Sequence, residues 1–101
     1  MFLDNTLEVL SNENRRNILY DLSSSEADIF SYEEIAESLV EDEYLREAEK
    51  EHFKVQMAHN HLPYMDENGF VEHDSRSRTV KYVGDRDVED LLDVIEEYEQ
   101  I

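Results

Sequence analysis

Tyr64-Met65-Asp66-Glu67-Asn68-Gly69-Phe70-Val71-Glu72-His73-Asp74-Ser75-Arg76-Ser77-Arg78-Thr79-Val80-Lys81-Tyr82-Val83-Gly84 is the stretch in which the chain changes its period. Upstream, from about Glu43 to Glu67, one Pro and no Gly interrupt a helical pattern, and Asn68-Gly69 is a natural left-handed stop for it. Downstream, two short β-runs, Phe70-Val71 and Thr79 to Val83, flank a polar turn and predict a hairpin. A long helix that runs into a hairpin is therefore the centre of the fold.

Working outward, Leu3, Leu7 and Leu10 predict a first helix, which Ser11-Asn12-Glu13-Asn14 interrupts with good capping residues. Ile18, Leu19 and Leu22 face the core from a second helix that ends at Ser23-Ser24-Ser25. Ser31-Tyr32-Glu33-Glu34 is a capping box, in which hydroxyl and carboxylate each satisfy an orphan backbone donor, and it opens a helix with Ile35, Ala36 and Leu39 inward. After Gly84 the acidic start at Asp85 suits a helix dipole. Val88, Leu91, Leu92, Ile95 and Tyr98 then recur at three- and four-residue spacing. The expected class is mainly α with a small β-hairpin and a C-terminal helix.

Composition narrows the chemistry. At 101 residues the chain fits one small core. Leu, Ile, Val and Phe supply 27 of those residues, more than a chain that stays unfolded carries. There is no Cys, which excludes disulfides, thiolate metal sites and cysteine nucleophiles. The N-terminus has no signal-peptide pattern and no window is apolar enough to span a membrane, so a cytoplasmic protein is expected. The net charge of -18 arises from 27 acidic against nine basic residues, only three of them Lys. Such self-repulsion is tolerable where molar salt screens it, which points to a halophile's cytoplasm.

The acid is unevenly spread. Residues 1–43 balance to -10, 44–70 to -2, 71–84 to +1 and 85–101 to -7. The middle of the chain is spared, and an anionic polymer would meet least repulsion there. The alternative is an acidic surface that binds protein and not nucleic acid.

The stretch Leu7 to Leu19, with Leu-Ser-Asn-Glu-Asn-Arg-Arg-Asn-Ile-Leu at 10–19, resembles the opening of ArsR-type winged-helix repressors. His61-Leu62-Pro63-Tyr64-Met65-Asp66-Glu67-Asn68-Gly69-Phe70-Val71 is similar to the segment in which their recognition helix runs into the wing. With its acidic composition the chain resembles the small haloarchaeal winged-helix proteins that carry His-Leu-Pro here. The likeness covers residues 5 to 84. It implies a winged helix-turn-helix domain over 1–84, with 85–101 as a C-terminal dimerisation helix of the same domain. It also implies an ArsR-like regulator that binds double-stranded DNA as a homodimer. One departure is that Val40 to His52, Glu-rich and helix-favouring, stands where ArsR-type chains have a tight turn, so the recognition helix is extended backwards or an extra helix is inserted. Pro63 should also kink the long helix.

On a uniform wheel of ~100° per residue, Val55, Ala58, Leu62 and Met65 form the core stripe of the long helix. Gln56, Asn60 and Tyr64 lie opposite, with Phe53 and Met57 at the margins. Gln and Asn can pair with adenine edges, and Lys54 can reach a phosphate. Arg76, Arg78 and Lys81 form the best basic cluster, suited to the DNA backbone. Val88, Leu91, Leu92, Ile95 and Tyr98 read as a dimer seam. Metal binding by His52, His59, His61 and His73 is not expected. His59 and His61 face opposite ways on a helix, and His52 and His59 stand ~10 Å apart along it. No Ser/His/Asp, phosphate-loop or HExxH pattern occurs, so neither enzyme chemistry nor a cofactor is expected.

Overall fold

A computed structural model describes residues 2–99. The chain is mainly helical, with one small antiparallel sheet. Helix α1 (Phe2–Leu10) is followed by α2 (Glu13–Ser24), whose N-cap Asn12 accepts the Arg15 N–H, as the sequence predicts. The Ser31–Glu34 capping box forms in both directions and opens α3 (Tyr32–Glu41). Strand β1 (Ile29–Ser31) immediately precedes it. Three residues with only Phe30 buried carry no period of their own, which is why the sequence pattern does not announce this strand.

The segment after α3 takes one of the two forms expected of it. Glu43 adopts a left-handed φ of 65°, and the Tyr44 and Leu45 N–H groups both return to the Leu39 carbonyl at 2.9 and 3.2 Å. This closes α3 as a left-handed cap does. The segment 42–46 is thus a turn and no extra α-helix occurs there. The long helix does reach backwards, opening as a 3₁₀ turn (Glu47–Glu49) and continuing as α4 (Lys50–Gln56).

Between α4 and α5 (Leu62–Glu67) lies a π-helical turn, Met57–His61, closed by the Leu62 N–H on the Met57 carbonyl. Pro63 explains it. A proline has no N–H to give and its ring clashes with the carbonyl four residues back, that of His59, and a wider turn just upstream opens that space. The turn corrects the uniform wheel. Phe53, Met57, His61, Leu62 and Met65 are the buried residues of the long helix, whereas Val55 is 54% exposed and Ala58 only half-buried. A turn with more residues holds back the usual drift of the four-residue row, so positions 53, 57, 61 and 65 all face inward. Val55, expected in the core, faces solvent; Phe53 and Met57, expected at the margins of the outer face, are core residues.

Gly69 at φ 82° stops α5 and leads into β2 (Val71–Asp74), which pairs with β3 (Thr79–Tyr82) in register Val71↔Tyr82 to Asp74↔Thr79. β1 joins the far side of β3, giving the order β1-β3-β2. Helix α6 (Arg86–Glu99) closes the chain. One apolar cluster runs through all of these elements, from Val9 and Ile18 through Leu39, Met57 and Val80 to Leu92. Val88 and Leu92, expected at a subunit seam, are therefore buried in this chain's own core, and Leu91 and Ile95 pack half-buried against it. Only Tyr98 of the expected seam is fully exposed, joined by Val94. Among the described residues no helix is long and apolar enough to cross a membrane.

Candidate functional site

The hairpin is fastened beside the long helix by polar contacts that fix their mutual position. Asp66 Oδ2 accepts the His73 N–H at 2.8 Å, and the Tyr32 hydroxyl bonds His73 Nε2. The Tyr32 N–H reaches the Arg78 carbonyl at 3.2 Å. Between helix and hairpin tip lies a groove of about 480 Å³, lined by Tyr32, Glu51, Lys54, Val55, Ala58, His59, Ser75 and Arg78. At the tip, Asp74 accepts the Arg76 and Ser77 N–H groups at 3.0 and 3.2 Å, which holds its carboxyl below the usual range. Arg78 takes a left-handed φ of 59°, and its guanidinium sits 5.5 Å from the centre of the Tyr32 ring.

The candidate residues do not all meet. Gln56 and Asn60 are exposed on the long helix, and Arg76 and Arg78 are exposed at the tip. Lys81 is apart from them, on the outer face of the sheet across from Ile29 and Glu72. Tyr64 is half-buried and turned toward α2, with the Arg15 guanidinium 4.7 Å from its ring centre; burial and Glu8 push its phenol up. It belongs with the packing of α1 on α2, where Arg15 also donates to the Glu8 and Val9 carbonyls at 3.0 and 2.8 Å.

Lys54 is held. Its ammonium pairs with Glu33 and with Glu51 at 2.8 Å, and Lys50 pairs with Glu37, with Glu47 at 3.2 Å and with Glu33 at 3.6 Å. Hydrogen bonds to these carboxylates push both lysines up, and that from Lys54 pulls Glu33 down. Sequence reasoning missed the pairing because two of the partners, Glu33 and Glu37, lie on α3, far away in the chain. Arg16 pairs with Glu99, and Arg46 with Glu49, at 3.1 Å each. Among the described residues Arg76, Arg78, Lys81 and Arg86 have no carboxylate at ion-pair distance.

The histidines are dispersed. His59 lines the groove, His73 bonds Tyr32, and His52 and His61 line a second cavity, of about 310 Å³, against Asn14 and Phe53. His61 is buried with Nδ1 unpartnered, and burial, then the Arg15 charge, push it below its ordinary value. Among the described residues no three His, Asp or Glu side chains are grouped so as to hold a metal ion.

Residues 7–81 match the model of a family described as a domain of unknown function, DUF7344. No curated protein and no solved structure matches the chain.

Proposed function

We propose that this chain, which belongs to the DUF7344 family, is a winged helix-turn-helix regulator that binds double-stranded DNA as a homodimer in a halophile's cytoplasm. In this reading α3 and the long helix are the helix-turn-helix, with α4–α5 in the major groove, and the β2–β3 hairpin is the wing on the backbone. The observation that carries it is the pair Arg76 and Arg78. In a chain of net charge -18, whose other cations near the groove are clamped by glutamates, these two are exposed at the hairpin tip with no carboxylate at ion-pair distance, and Arg78, its guanidinium against the Tyr32 ring, lines the groove beside the long helix. Cations without a carboxylate partner in the folded chain suit an anionic partner outside it.

The molecule spans 32 × 32 × 24 Å. In a two-fold dimer this reading needs the two long helices one turn of DNA apart, about 34–36 Å, over a palindromic site. Val94 and Tyr98, exposed on α6, are the residues proposed for the subunit contact, in place of the buried Val88 and Leu92.

A second reading, an interaction module that binds protein, is favoured by the capture of Lys50 and Lys54. With those charges cancelled, the long helix offers no free cation to phosphate.

Titration of duplexes in molar KCl with two variants separates the readings. Arg76→Ala with Arg78→Ala should weaken all sequences about equally, whereas Asn60→Ala should cost roughly 1–3 kcal/mol on a preferred site and flatten discrimination. Equal, negligible effects of both variants would favour the interaction module.

A further inference from the structure

We infer that the exposed face of the long helix selects A·T base pairs and does not select G·C pairs; the inference rests on the proposed DNA-binding reading. Side chains match base edges in the major groove by their donors, acceptors and methyl contacts. The specific contact to guanine is a bidentate Arg or Lys on O6 and N7. The long helix has two lysines, and both are occupied: Lys54 by Glu33 and Glu51, Lys50 by Glu37 and Glu47. Arg46, just before it, is paired with Glu49. No free guanidinium or ammonium remains on this helix to read guanine.

What the helix does expose fits adenine and thymine. Gln56 and Asn60, one turn apart and both exposed, carry carboxamides that donate to N7 and accept from N6 of adenine. Whereas Gln56 lines the second cavity, Val55 lines the groove and is 54% exposed, the one large apolar side chain that the long helix leaves in solvent. Its methyl groups have little apolar contact within the chain. They face the groove together with Ala58, an apolar pair suited to the thymine 5-methyl group. His59, beside them, can donate one N–H to N7 of either purine and so does not discriminate. Adenine readers and a methyl reader exposed on the same helix together suit the two bases of A·T pairs.

The test is enrichment from a random duplex pool in molar KCl, followed by replacement of thymine with uracil in the enriched site, for wild type, Val55→Ala and Gln56→Ala. Both side chains are at the surface, so the variants keep the fold. The expected site is A+T-rich. Loss of the thymine methyl should weaken wild type about fourfold, the worth of one buried methyl group. Val55→Ala should weaken binding to a similar degree and then be indifferent to the uracil replacement. Gln56→Ala should lose roughly 5- to 160-fold and remain sensitive to it. An enriched site dominated by G·C pairs overturns the A·T inference and leaves the DNA-binding reading standing, as does an equal effect of uracil on wild type and Val55→Ala. A pool from which nothing is enriched overturns both.

Discussion

The face proposed to read DNA depends on the rotational setting of the long helix, and the pair Met57→Ala and Val55→Ala measures that setting through stability alone. Met57 is completely buried at the π turn. Its truncation removes the packed side chain and leaves a cavity, at a cost of about 2–5 kcal/mol. That is a large fraction of the roughly 5–15 kcal/mol that holds a domain together, and at ~4–8 °C per kcal/mol the melting temperature should drop by at least about 8 °C. Val55 is more than half exposed. Truncating a fully buried valine would forfeit two methyl groups, about 1.6 kcal/mol, of which somewhat less than half applies here. The better helix propensity of alanine offsets about 0.5 kcal/mol of that. The net change should stay within about 0.5 kcal/mol. Urea unfolding of both variants and wild type in molar KCl reads the difference directly. If Val55→Ala costs as much as Met57→Ala, the helix is rotated from the setting described, and Gln56, Asn60 and Val55 do not share the outer face.

Three further outcomes are expected. Since 27 carboxylates repel one another around a small core, the melting temperature should rise as KCl goes from about 0.1 to about 3 M; a flat response would remove the halophile reading. His61 and His73 are both pushed below the ordinary histidine value, so the unfolded chain protonates first. Their contribution is complete above pH 6.5 and is lost as the pH falls through the folded-state values, and His61→Gln should shrink the loss seen by thermal melting. An acid limb unchanged in that variant would contradict the burial of His61. Val94→Glu with Tyr98→Glu should give a folded monomer by light scattering, whereas Leu92→Glu should unfold the chain. A wild type already monomeric at high concentration in molar salt would remove the palindromic site.

Local signals in the sequence were legible where a few neighbouring residues determine the outcome. The Asn12 cap, the Ser31–Glu34 box, the stop at Gly69 and the hairpin that follows each depend on chemistry within a handful of positions. What escaped depends on partners distant in sequence or on departures from ideal geometry. β1 exists because β3 offers it an edge, with Phe30 opposite Val80. The π turn shifts the phase of the long helix, so a uniform wheel exchanged Val55 with Phe53 and Met57. The same distance effect governs the candidate site. Gln56, Asn60, Arg76 and Arg78 are exposed as the pattern suggests, but the capture of Lys54 by Glu33 needs α3 folded against α4. The apolar period of α6 likewise cannot say whether Val88 and Leu92 meet a second subunit or their own core.

The central claim, that the acid-poor middle of the chain binds double-stranded DNA, is tested most directly by a binding isotherm of the wild-type chain on an enriched duplex in molar KCl. Saturation at two chains per duplex is expected, lost when Arg76 and Arg78 are both changed to Ala. No saturable binding at any duplex concentration, together with stoichiometric recovery of a protein partner under the same salt, would contradict it.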